Sequence, residues 1–116
     1  MREKRRLNRE KKEAWTNVRI KALVRDNCKC LICDKDLSLA NVHNRQVHHI
    51  LDKKNYPQFA LDLENLITLC WQDHKVGPCS PHLNALAFME IFKRKRPEQY
   101  AHLKKMFESS NNNDVE

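Results

Sequence analysis

Gln46-Val47-His48-His49-Ile50 sets two histidines side by side in a short stretch with strand character. Asn65 follows sixteen residues after His49, and His74 nine residues after that. Neighbours on a strand point to opposite faces, so one of the pair can hold a metal ion while the other faces a substrate. Leu66–Cys70 (LITLC) is apolar and β-rich and predicts a second strand. A short helix is expected from about Trp71 to the Gly77-Pro78 break, and it places His74 where it can close a metal site. Strand, loop, strand, helix, with histidines at both ends, predicts a small α+β unit of ββα-metal type.

Upstream, a helix is expected from about Arg9 to Asp26, with Trp15, Val18, Ala22 and Leu23 spaced by three and four along its apolar face. Residues 1–12 are nearly all polar and read as a frayed or extended arm. Asn27–Asp36 reads as a knuckle around Cys30 and Cys33. Residues 52–64 form a loop, with Pro57 as a breaker. Downstream, Ser80-Pro81 predicts a helix start, with Ser80 as N-cap and the proline in the first turn, running to about Lys95. Pro97 opens a last helix, with Tyr100, Leu103, Met106 and Phe107 as its buried stripe. The organisation expected is a basic arm (1–12), one domain (13–108) and a polar, disordered tail (109–116). At 116 residues there is room for one modest core, and no internal repeat is present.

The formal charge is +7 and unevenly placed. Residues 1–26 hold ten Lys/Arg against four Asp/Glu, whereas residues 27–92 hold six against seven. A basic end on a small domain points to a polyanion, most often nucleic acid; the alternative is a solvated helix face. Arg2, Lys4, Arg5, Arg6, Arg9, Lys11 and Lys12, with Lys93, Arg94, Lys95 and Arg96, are expected to contact phosphates rather than bases. No apolar run approaches the roughly twenty residues of a membrane span. The chain is charged from Arg2 onward, without the apolar core of a secretory signal. The expected compartment is therefore the cytoplasm, where five cysteines read better as metal ligands or buried thiols than as disulfides.

The histidines suggest what the chain does to a polyanion. A divalent ion bound by few protein ligands keeps positions open for a phosphate oxygen and water. A neutral histidine can take a proton from the attacking water, because its pKa lies near working pH. Asn65 does not titrate at neutral pH, and its amide can orient the base histidine or tie the loop to the strand.

The run from Val24 to about Leu103 resembles the HNH endonucleases, through RDNCKCLIC, VHHI, LDLENLITLC and DHK in that order. The resemblance implies a treble-clef-like core. It implies that His48 and His74 hold a divalent ion (magnesium, manganese or similar), that His49 is the general base and that Asn65 positions it. SPHLNALAFMEIFKRKRPEQYAHL resembles a helical extension of phage-type members. His82 within it lies near the metal or the DNA, or is only a helix-start residue.

Many members also carry a structural zinc on two CxxC pairs. Cys30 and Cys33 fit the first pair and Cys70 opens the second, but Asp73 stands where the fourth cysteine is expected. Zinc accepts carboxylate oxygen, so Cys30, Cys33, Cys70 and Asp73 can form a tetrahedral site. Cys79 is the rival fourth ligand, and buried thiols without zinc are the alternative; Cys28 matches no ligand position.

The reading is a metal-dependent DNA endonuclease of phage or mobile-element type. One rival is a non-catalytic zinc module that binds nucleic acid, which would need the cysteines but not the histidine pair. Another is a degenerate nuclease fold kept for protein contacts. Strand count of the cut, DNA sequence and oligomeric state are left open.

Overall fold

Two short strands position everything else. In the computed structural model, which describes residues 2–113, β1 (Gln46–His49) pairs antiparallel with β2 (Leu66–Leu69), with His48 opposite Ile67 and His49 opposite Leu66. All four residues of β2 are buried, and those of β1 are half-buried. The long α1 (Arg2–Arg25) precedes the sheet; α2 (Trp71–Lys75), α3 (Ala85–Lys95) and α4 (Pro97–Asn113) follow. The architecture is α+β, as expected. Among the described residues no helix is long and apolar enough to cross a membrane.

Alternation along the strands divides the core in two. Leu66 packs with Val18 and Ala22 of α1, together with Trp15, Val47 and Leu63. Ile67 and Leu69 turn the other way. They join Cys30, Leu31 and Leu37 of the knuckle, Phe88 and Phe92 of α3, and Leu103 of α4. The same period of two sends His49 to the α1 side with Val47, and His48 to the α3 side.

Polar contacts lock the layers. Asp26 is 4% exposed and accepts hydrogen bonds from the Thr68 backbone N–H (3.1 Å), Arg25 (2.8 Å) and Arg96 (2.6 Å). Burial alone would raise its carboxyl pKa; the two guanidiniums outweigh that and hold it below the usual range. Arg25 also donates to the carbonyls of Leu63 and Leu66. Lys95 Nζ lies 2.6 Å from the Leu31 carbonyl and 3.0 Å from Asp34, so it braces the knuckle. Lys95 and Arg96, expected at phosphates, are thus engaged inside the fold, while Lys93 and Arg94 remain exposed.

Three elements differ from the sequence reading. Residues 2–12 are not extended: they form the first turns of α1, every side chain exposed. The segment lacks glycine and proline, and its Arg, Lys, Glu and Leu favour helix without a packing partner. Surface pairs from Arg6 to Glu3 and Glu10 (both 3.8 Å) add little. Second, α3 begins at Ala85 with Asn84 as its cap, not at Ser80, because the Ser80 hydroxyl is used elsewhere. Third, α4 continues through Asn113, so 109–113 are helical rather than tail; residues 114–116 lie outside the described residues. Along α4, Leu103 is buried, Tyr100 and Met106 are half-buried, and Phe107 is 38% exposed.

Candidate functional site

The knuckle gathers the first donor set. Chain reversal at 27–36 uses the left-handed region at Asn27, Cys28 and Asp34, of which Asn and Asp tolerate it best. It closes with the Cys30 N–H bonded to the Lys35 carbonyl and a bridge between Lys29 and Asp36. Cys70 follows β2 and caps α2, its Sγ accepting from the Asp73 N–H, which aims Asp73 back at the knuckle. Asp73 Oδ2 lies 3.2 Å from Cys30 Sγ and 3.3 Å from Cys70 Sγ, and Cys33 Sγ lies 3.9 Å from Cys70 Sγ. Ideal tetrahedral zinc, with Zn–S about 2.3 Å and Zn–O about 2.0 Å, would set S···S near ~3.8 Å and S···O near ~3.5 Å. The donor set therefore fits a zinc-sized ion.

Burial pushes the Cys30 and Cys70 thiols up, with the Asp73 carboxylate adding to it. For Asp73, burial is outweighed by thiol hydrogen bonds that hold the carboxyl low. Cys79 and Cys28 are outside this set. Gly77, the chain's single glycine, lies against Asp73: an added Cβ would sit 3.3 Å from Oδ1 and crowd the fourth ligand.

A second donor set is built entirely of imidazoles. His48 Nδ1 lies 3.1 Å from His74 Nε2, and His82 Nε2 lies 3.0 Å from the same atom. His74 Nδ1 donates to Gln46 Oε1, which fixes the tautomer and leaves a lone pair on Nε2, toward which His48 and His82 converge. Metal–nitrogen bonds of about 2.0–2.1 Å in a tetrahedron would separate the nitrogens by ~3.3 Å, close to what is seen. Burial, then the neighbouring imidazoles and Lys75, pushes His48 down to about 3. Burial, then Lys75 and His82, takes His74 to about 4; burial also lowers His82. All three are thus neutral donors at pH 7, with His82 on the exposed side.

His82 joins the cluster through Ser80. The fully buried Ser80 hydroxyl donates to the His74 carbonyl (2.7 Å) and accepts from the His82 N–H (3.2 Å). Of the two readings the sequence offered for His82, the structure places it beside His74, the Gly77-Pro78 break folding the chain back between them.

His49 lies on the other face of β1. Its Nε2 is 2.9 Å from the Ala60 carbonyl, and its ring stacks on Trp15. Because a carbonyl only accepts, Nε2 carries the proton and Nδ1 the lone pair. The side chain of Asn65, fully buried, makes no hydrogen bond to His49. Its amide accepts from the Leu51 N–H (2.7 Å) and donates to the carbonyls of Leu51 (2.9 Å) and Phe59 (3.1 Å). It fixes the loop whose Ala60 carbonyl holds the imidazole. A shallow cleft of about 240 Å³ unites Val47, His48, His49, Asp52, Lys53, His74, Lys75 and His82. Lys53 and Lys75, both exposed at its edge, were not singled out from the sequence. A larger depression of about 590 Å³ lies beside Arg25, Arg96 and Pro97, and neither donor set lines it.

Residues 30–76 match the family model described as HNH endonuclease. The matched stretch runs from Cys30 of the knuckle through both strands and α2; it holds Cys30, Cys33, His48, His49, Asn65, Cys70, Asp73 and His74 but not His82. No curated protein and no solved structure matches the chain.

Proposed function

We propose that this HNH-bearing chain is a metal-dependent DNA endonuclease that hydrolyses phosphodiester bonds. In this reading β1, β2 and α2 are a ββα-metal unit, with the cysteine knuckle as its treble-clef-like entry. The observation that carries it is the cleft. Three neutral imidazoles converge there on one side of β1, while His49 presents a free lone pair from the other. A nucleic-acid-binding zinc module has no use for a second, all-histidine donor set.

Within this reading, His48, His74 and His82 hold the catalytic ion. When bound, that ion supplies a Lewis acid for a phosphate oxygen and offsets charge on the leaving oxygen. Imidazole donors suit zinc, iron or nickel better than magnesium, which prefers oxygen ligands, so the ion is of the former class rather than magnesium or manganese. His49 takes a proton from the attacking water at Nδ1. Asn65 holds the loop that orients it. Lys53 and Lys75 draw the phosphate to the cleft. Cys30, Cys33, Cys70 and Asp73 hold a structural zinc.

The exposed Arg2, Lys4, Arg5, Arg6, Arg9, Lys11 and Lys12 of α1, with Lys93 and Arg94, bind the phosphate backbone. Lys95 and Arg96 contribute positive field rather than free contacts.

The test compares two kinds of variant. His74→Ala or His82→Ala should raise the metal concentration for half-maximal cleavage by at least about 10²-fold, the upper range for losing a mere outer-shell partner. Knuckle metal should stay bound, by elemental analysis. Deleting residues 2–12 should do the reverse: the metal requirement stays, binding weakens, and the slope of log affinity against log salt shrinks by up to about 0.9 per lost contact. Normal cleavage by His74→Ala at limiting metal would remove the imidazole cluster from the mechanism.

A further inference from the structure

The His49 ring is held on its edge and on its face. At the edge, Nε2 meets the Ala60 carbonyl at 2.9 Å. On the face lies the Trp15 indole, with ring centroids 5.0 Å apart and planes within 20° of parallel. We propose that Trp15 is a positioning residue for the general base, holding the imidazole in the orientation that keeps the Nδ1 lone pair free for water. The inference rests on the reading of His49 as the base.

A single hydrogen bond leaves an imidazole free to rock about its Cβ–Cγ bond. Turning the ring over would break the Ala60 bond and bring carbon Cδ2 to where Nδ1 stands. To do so the ring must pass through a plane perpendicular to the stack, into space the indole fills. Trp15 is itself fixed, packed against the small core of Val18, Ala22 and Leu66. The opposite wall is fixed separately, through Asn65 and its bonds to Leu51 and Phe59. The base thus sits between a helix and a loop anchored by different residues. Positioning of this kind matters because a displacement of about 1 Å at a reacting group can cost about 10²-fold in rate.

The experiment uses the full chain, a supercoiled plasmid and saturating divalent metal. Trp15→Leu keeps an apolar side chain in the core, and Trp15→Phe restores a flat face. Trp15→Leu should lower kcat about 10²-fold with little change in KM, and Trp15→Phe should recover most of it. Metal affinity of the histidine cluster should not change. In parallel, nitrogen-15 NMR of the imidazoles should show His49 of the unaltered protein as one Nε2–H tautomer, and Trp15→Leu as an averaged mixture.

Wild-type kcat in Trp15→Leu, with His49→Ala inactive, would overturn this inference alone and leave Trp15 as packing. Cleavage by His49→Ala at the wild-type rate would remove the base assignment and this inference with it. A mixed tautomer in the unaltered protein would overturn the inference whether or not Trp15→Leu folds.

Discussion

Cys30→Ser is expected to abolish the cooperative unfolding transition at room temperature, or to lower Tm by more than about 20 °C. Cys30 is fully buried, and its sulfur faces the Asp73 carboxylate at 3.2 Å. The same knuckle contributes Leu31 and Leu37 to the main core, so with the proposed zinc held there, its loss would loosen the packing of β2, α3 and α4 together. Structural zinc contributes on the order of 10 kcal/mol to small domains of this kind. That is comparable to the whole stability of a domain, about 5–15 kcal/mol, and each kcal/mol lost shifts Tm by roughly 4–8 °C in a small domain. Calorimetry with metal analysis checks this: about one tightly held zinc per chain at the knuckle, released as the protein melts early under chelation. Metal-free protein with an unchanged melting curve would mean that these are only buried thiols.

His49→Ala is expected to cut the cleavage rate by about 10²–10⁴-fold, the range a positioned general base contributes. The fold should survive, because His49 is half-buried at the end of β1 and the core beside it is carried by Leu66, Val18 and Ala22. Plasmid binding should stay within a few-fold, since the basic residues of α1 are untouched. A rate close to wild type would move the base elsewhere in the cleft.

Much of the site was legible because it depends on local rules. The strand period alone separates His48 from His49, and the structure puts them on opposite faces as that rule requires. Asp73 was named because it stands where the family resemblance expects a fourth cysteine, with Cys79 past the Gly-Pro break as its rival; the fold brings Asp73, and not Cys79, together with Cys30, Cys33 and Cys70. Asn65 was open between two roles. It ties the loop at Leu51 and Phe59, next to the Ala60 carbonyl that holds His49.

What was not legible depends on contacts distant in sequence. Ser80 looks like a helix cap, yet its hydroxyl is drawn to the His74 carbonyl, which delivers His82 to the cluster. Lys95 and Arg96 look like solvated charges until the fold brings Asp34 and Asp26 to them. The early start of α1 has a different cause. Its first three turns are helical by propensity, with no apolar stripe for a sequence pattern to register.

The most direct test of the central claim is the conversion of supercoiled plasmid to nicked or linear DNA by the purified full chain. It is followed first with chelator, then with zinc, nickel and magnesium added back in turn. The account predicts no cleavage with chelator, recovery with zinc or nickel at concentrations where magnesium is ineffective, and in His49→Ala a rate that stays about 10²–10⁴-fold lower with every ion. Cleavage unaffected by chelator and by His49→Ala, or salt-dependent binding with no cleavage under any ion, would contradict it.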